Sequence, residues 1–118
     1  MHELAICQAL MSRIEILAKE HGSEILERIV LQVGPLSGAE PELIRHAFPL
    51  VAEGSVAATA TLDIEVSPVA IFCRQCGAAA EVSPAALACP SCGAWQTELV
   101  AGDELILQRL EFRSEVRH

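Results

Sequence analysis

Aromatic side chains are nearly missing from this 118-residue chain, which has no tyrosine, one tryptophan and three phenylalanines. With 52% hydrophobic residues and only 3% aromatic ones, the core must be aliphatic, and the ring platforms on which single-stranded nucleic acids stack are lacking. Basic residues are also scarce. Eight Lys and Arg stand against sixteen Asp and Glu, giving a net charge of −8 and a pI near 4.9, which speaks against nucleic acid as a partner, since such proteins present a basic face. No apolar run approaches the roughly 20 residues of a membrane span. The opening Met1-His2-Glu3-Leu4 has no basic region, apolar stretch or cleavage site of a secretory signal, so the expected location is cytoplasmic, with no membrane partner. A P-loop, a nucleophile elbow and an open-site zinc motif are all absent, and the expectation is a protein that is not an enzyme. The length suits one main domain with a modest core plus a small lobe.

What is present is cysteine in a pattern. Cys73-Arg74-Gln75-Cys76-Gly77 and Cys89-Pro90-Ser91-Cys92-Gly93 form two knuckles separated by twelve residues. Each Cys-x-x-Cys turn aims two thiolates at one centre, and the trailing glycine supplies the backbone freedom of a tight knuckle. Four soft sulfurs select a tetrahedral ion, Zn(II), at Cys73, Cys76, Cys89 and Cys92. With no position left for water, the ion holds a fold rather than catalyses, and the lobe should unfold without it. Two disulfides or a redox dithiol would need an oxidising compartment or a strand-to-helix setting, and neither fits. A zinc ribbon read from the knuckles alone would also suit a nucleic-acid module, against which the charge and the missing aromatics argue.

Around the ribbon the periodicities predict two helices and three strands. Cys7, Leu10, Met11, Ile14, Leu17 and Ala18 recur at helical spacing from Leu4 to Lys19, and His21-Gly22 closes that helix. Ile25, Ile29, Leu31 and Val33 share one parity, predicting a half-buried strand ended by Gly34-Pro35. Ser37-Gly38-Ala39-Glu40 has the capping-box form and precedes Pro41, so a second helix starts near Glu40 with Leu43, Ala47, Leu50 and Val51 as its apolar face. Pro49 predicts a kink or an early end there. Leu62, Ile64 and Val66 alternate as a second strand, Val69 to Gln96 is the ribbon, Glu104 to Phe112 is the last strand, and Glu111 to His118 should fray. The fold class is α+β: a small, mostly antiparallel three-stranded sheet with two helices and an inserted four-cysteine zinc-ribbon lobe. The domains are residues 1–68 with 97–118, and residues 69–96.

Other residues have structural readings. Cys7 lies on the apolar stripe as a small core residue, His21 and His118 sit at chain or helix ends, and His46 reads as a boundary or core histidine. Trp95 packs across the ribbon or onto a partner.

The N-terminus offers a second set of donors. The terminal amine, the His2 backbone nitrogen and the His2 ring can close fused chelate rings around one ion, and Glu3 can add a backbone nitrogen or a carboxylate oxygen. Nitrogen-rich, near-planar sets suit Ni(II) and Cu(II). A histidine after the initiator methionine is also commonly an exposed end or a residue turned into the first helical turn, so the residues alone leave both readings open.

Met1-His2-Glu3 before an amphipathic helix, the stretch Val33-Gly34-Pro35-Leu36-Ser37-Gly38-Ala39-Glu40-Pro41-Glu42, and the two Cys-x-x-Cys-Gly knuckles together resemble the HypA/HybF family of nickel metallochaperones for hydrogenase maturation. The resemblance covers nearly the whole chain in the same order. It implies His2 as a nickel ligand with Glu3 beside it, Glu40 as a lesser candidate, and Cys73, Cys76, Cys89 and Cys92 as structural zinc ligands. It further implies exchange of transported Ni(II) with the GTPase HypB, which would supply any GTP dependence, and delivery to the large subunit of a [NiFe]-hydrogenase. Some members also serve urease maturation, and monomer and homodimer are both left open. Where some members carry a histidine near the second knuckle, this chain has Ala94-Trp95.

Overall fold

A central strand, β1 (Ile25–Val33), organises the larger lobe of this computed structural model, which describes residues 2–22 and 24–114. It follows helix α1 (His2–Lys19) and precedes helix α2 (Pro41–Ala52) and strand β2 (Thr61–Val66). The chain then forms β3 (Val69–Cys73), β4 (Ala79–Val82) and β5 (Thr97–Ala101) before returning as β6 (Leu105–Arg113). One sheet has the order β2-β1-β6 and the other β4-β3-β5. Only the β1–β2 pairing is parallel, joined through α2, and the other three described pairings are antiparallel, so the mostly antiparallel α+β expectation holds.

The core sits between the helices and one face of the first sheet. Cys7, Met11, Ile14 and Ala18 are the buried stripe of α1, as its periodicity predicts, and the first three share one core cluster with Ile29, Leu31 and Val33 of β1. Leu62 and Ile64 flank β1 on one side, and Leu105, Leu107, Leu110 and Phe112 on the other. Strand parity predicts Ile25 in this set, but Leu26 takes the place, at 1% exposure. A register shift against β6 between Leu26 and Arg28 reverses the alternation, which is what a bulge does.

Helix α2 departs further from the sequence reading. Its buried stripe is Ile44, Phe48 and Ala52, while Leu43 and Leu50 are exposed and Ala47 and Val51 half-buried. Apolar residues cover more than one face of this helix, so spacing alone admits two stripes and packing against α1 selects one. The helix starts at Pro41 as expected, but no side-chain cap closes it. The Ser37 hydroxyl instead accepts from the Ala39 amide at 3.2 Å, and the Glu40 amide donates to Glu3 Oε2 at 3.3 Å. The helix also runs through Pro49 to Ala52. Pro49 and Arg45, whose carbonyl loses its helical donor, are both exposed, so the gap falls on the solvent side.

Thr97–Ala101, which the sequence reading assigns to the larger domain, pairs with β3 and lies in the ribbon's sheet. The chain re-enters the main sheet at Leu105, and β6 stays paired with β1 through Arg113, beyond the point where fraying is expected. The remainder of that tail, residues 115–118 with His118, lies outside the described residues, as does Met1.

The two sheets meet at a tight junction. The Gly34 amide donates to the Glu104 carbonyl at 2.7 Å, Leu36 to Gly102 at 2.7 Å, and Ser67 to Val33 at 3.1 Å. A Cβ on Gly34 would stand 2.2 Å from the Gly102 oxygen, so only glycine fits. Gly102 itself has φ +119, open to glycine and strained for other residues. Glu104 Oε1 accepts from the Ser67 hydroxyl at 2.9 Å and from the Gly102 amide at 2.8 Å, tying both crossing strands together.

Candidate metal centres

The ribbon is folded around its sulfurs. In each knuckle the glycine amide bonds the carbonyl of the first cysteine, Gly77 to Cys73 at 2.9 Å and Gly93 to Cys89 at 2.8 Å. The cysteine amides reach across in turn, Cys73 to the Ala78 carbonyl at 2.8 Å and Cys89 to the Ala94 carbonyl at 2.9 Å. Gly77 and Gly93 share φ 78, the left-handed conformation that closes such a turn. The knuckles are therefore two copies of one local structure.

Their four sulfurs all lie within 4.8 Å of one another. Cys73 Sγ is 3.7 Å from Cys92 Sγ, and Cys76 Sγ is 3.6 Å from Cys89 Sγ. Tetrahedral zinc with Zn–S near 2.3 Å requires sulfurs about 3.8 Å apart, whereas a disulfide requires about 2.0 Å. The donor set fits zinc, and all four cysteines are free thiols. Their protons are unequally held. The Cys76 amide, 3.4 Å from Cys73 Sγ, is the main cause holding that thiol below its ordinary value. The Cys92 amide does the same for Cys89, down to about 6. The Ala94 amide pulls the Cys92 thiol down, but burial and the three neighbouring sulfurs outweigh it and push it up to about 12. A divalent cation at the centre would favour all four thiolates together.

Trp95, expected to pack across the ribbon or onto a partner, is 76% exposed and does not pack across it. Arg74 is paired with Glu98 on the neighbouring strand.

At the other site, α1 places His2 and Glu3 in its first turn. His2 is exposed with Nε2 3.6 Å from Glu3 Oε2, while Glu3 is 5% exposed. Burial raises the Glu3 carboxyl, but its own amide, the Glu40 amide and His2 are among the groups that outweigh that effect and hold it below the usual carboxylate range. Glu40, the lesser candidate implied by the family resemblance, lies beside Glu3 and donates its backbone amide to the Glu3 carboxylate. The terminal amine proposed as a donor belongs to Met1, outside the described residues. Cys7, one turn below Glu3, is fully buried, and its thiol, 3.8 Å from the Ile44 carbonyl, is raised by burial and by the Glu3 charge. It is a core residue, as its place on the stripe predicts.

His21 sits at the end of α1, as read from the sequence. His21 bonds Glu24 Oε1 through Nδ1 at 2.8 Å and stacks on Phe112, ring centroids 3.9 Å apart. His46 is exposed, not a core residue. The residues that sequence reasoning missed are those of the junction, Ser67, Gly102 and Glu104, which carry no motif and become visible only when the strands cross.

Known proteins resemble this chain over nearly its whole length. The family described as "Hydrogenase/urease nickel incorporation, metallochaperone, hypA" matches residues 1–112. A hydrogenase maturation factor HypA of Nitrosospira multiformis is 39% identical over 94% of this chain and 96% of its own length. Its counterpart from Aquifex aeolicus is 37% identical over the same shares. Among solved structures, a HypA protein shares 28% identity with a TM-score of 0.74, covering 98% of each chain. The Ni metallochaperone HypA from Helicobacter pylori shares 26%, with a TM-score of 0.67 over 98% of this chain and 100% of that one. The chain thus belongs to the HypA family of nickel metallochaperones that act in hydrogenase maturation, and its four-cysteine cluster is of the kind that holds structural zinc.

Proposed function

We propose that this metallochaperone carries Ni(II) at its N-terminus, with the amine of Met1, the nitrogens of His2 and Glu3 as donors, while zinc on Cys73, Cys76, Cys89 and Cys92 fixes the shape of the ribbon. The observation that carries the reading is the pinning of Glu3: a nearly buried carboxylate held by the Glu40 amide, directly beside an exposed imidazole. The first turn of α1 is thereby held against the start of α2, which preorganises one flank of the donor set. Nickel is cargo, so the protein acts as a carrier rather than an enzyme. We further propose HypB as the GTPase that exchanges nickel with it, the large subunit of a [NiFe]-hydrogenase as the acceptor, urease maturation as a second destination, and the cytoplasm as the setting. Among the described residues no helix is long and apolar enough to cross a membrane. The division into an α/β nickel unit and a ribbon unit of residues 69–101 is proposed on the strand pairing.

The test is calorimetric titration of Ni(II) into zinc-loaded protein and into His2→Ala, both with a native N-terminus, with zinc content measured in each. Loss of nickel binding with zinc retained is the expected result. Equal binding by both proteins would place nickel elsewhere. Because amine and imidazole must shed protons to bind, affinity should fall as pH drops through their reference values, about 8 and about 6.5.

A further inference from the structure

Beside Glu3 the seam between α1 and α2 opens into a hollow of about 300 Å³ lined by Glu3, Leu4, Leu43, His46, Ala47 and Leu50. Four of these side chains are apolar, and Leu4, Leu43 and Leu50 are exposed at 42%, 47% and 72%. The two that are not, Glu3 and His46, are a carboxylate and an imidazole, both metal donors. His46 lies one turn beyond Leu43 on the face that packing turned away from the core.

The state of the His46 ring is set by its neighbour. Nδ1 stands 2.8 Å from the Glu42 carbonyl oxygen, which can only accept. In the neutral ring Nδ1 therefore carries the proton and Nε2 keeps its lone pair, the tautomer in which an imidazole ligates a metal. Arg45, the neighbouring cation on α2, is drawn to the Glu42 carboxylate at 2.5 Å. The tautomer, the shared hollow and the adjoining carboxylate all serve a borderline divalent cation.

We infer that His46 is a second nickel-handling side chain, which with Glu3 forms a landing position through which Ni(II) enters and leaves the N-terminal site. This rests on the reading of His2 and Glu3 as that site. Nickel moves between proteins by exchanging donors one at a time, and an imidazole lining the same hollow as Glu3 gives the ion an intermediate donor. A donor used only in passage changes the rates of uptake and release together and leaves equilibrium affinity as it was.

Two measurements on the zinc-loaded full chain test this. Transfer of Ni(II) from protein to a small chelator, and uptake from aqueous Ni(II), are followed by stopped flow for wild type, His46→Ala and His46→Gln. Both rates should be severalfold slower in the variants, with the calorimetric affinity unchanged. Separately, substoichiometric Ni(II) is added to His2→Ala and the histidine ring resonances are observed. Preferential broadening of the His46 ring over His21 is expected, and its removal by Glu3→Gln would join the carboxylate to the same position. Unchanged rates in both His46 variants, or broadening spread equally over the exposed histidines, would overturn the inference while leaving the carrier reading intact. Retention of full nickel affinity in His2→Ala would instead overturn the reading on which it rests.

Discussion

The two lobes solve the same problem by different means. The α/β lobe buries an aliphatic layer in which Ile14, Leu26, Ile29, Leu31 and Ile44 are each at most 1% exposed. The buried hydrophobics of the ribbon are Val69, Ile71, Cys73 and Cys89, and two of those are candidate ligands. Phe72, Leu99 and Val100 remain 39–59% exposed on its strands. A lobe of this size cannot remove enough apolar surface from water to offset the entropy of ordering its chain, and a metal centre supplies the difference. The comparison teaches that stability in this molecule has two independent sources, joined at the junction of Gly34, Ser67, Gly102 and Glu104.

Metal removal should separate the two sources most sharply. Stripping zinc, or replacing Cys89 by Ser, should abolish hydrogen-exchange protection across residues 69–101 while the helices of the α/β lobe stay protected, since structural zinc binding is worth on the order of 10 kcal/mol. Collapse of both lobes together would show that the larger core depends on the metal. The converse is a core truncation. Ile44→Ala, at a fully buried site between α1 and α2, should destabilise the α/β lobe by about 2–5 kcal/mol in denaturant unfolding with zinc content unchanged.

The junction is the place where the independence should fail. Gly34→Ala puts a methyl group on the Gly102 backbone and should cost about 1–3 kcal/mol, with amide shifts in NMR spectra on both sides of the crossing rather than on one. The smallest effect is a pH-dependent one. The amide of Glu104 itself, then the Ser67 hydroxyl and the Gly102 amide, outweigh burial and hold its carboxyl below the usual range. A depressed folded value means the contribution is fully present above the ordinary carboxylate pKa, about 4.3, and is lost as pH falls through the folded value. Glu104→Gln should therefore melt at a lower temperature than wild type at neutral pH, with the gap closing below about pH 4.

How much of this was legible beforehand follows from where each signal resides. The zinc site was legible in full because its information is local: two Cys-x-x-Cys-Gly turns each fold themselves, and the ion requires only that both face one point. The stripe of α1 was legible because Cys7, Met11, Ile14 and Ala18 recur at regular helical spacing. Helix α2 was not, since its apolar residues, from Leu43 and Leu50 round to Ile44 and Phe48, span an arc broader than the one edge that packing buries. Strand β1 was read with the wrong first residue because a bulge is a property of a strand pair, not of a strand. The same reason hides β5: Thr97–Ala101 carries no mark of which sheet it joins until β3 lies beside it.

Composition, the cysteine spacing and the order of motifs determined by themselves that this chain has an aliphatic α/β domain, a four-cysteine lobe and a histidine beside Met1. These are properties of neighbours in the chain, where periodicity and chelate spacing act. Tertiary structure alone decided that the Glu40 amide donates to the Glu3 carboxylate, that Ile44 and Phe48 face inward and His46 outward, and that Glu104 closes the crossing between sheets. Each of these depends on contacts between residues some 37 positions apart, and no local rule fixes which of several equivalent surfaces such contacts will bury.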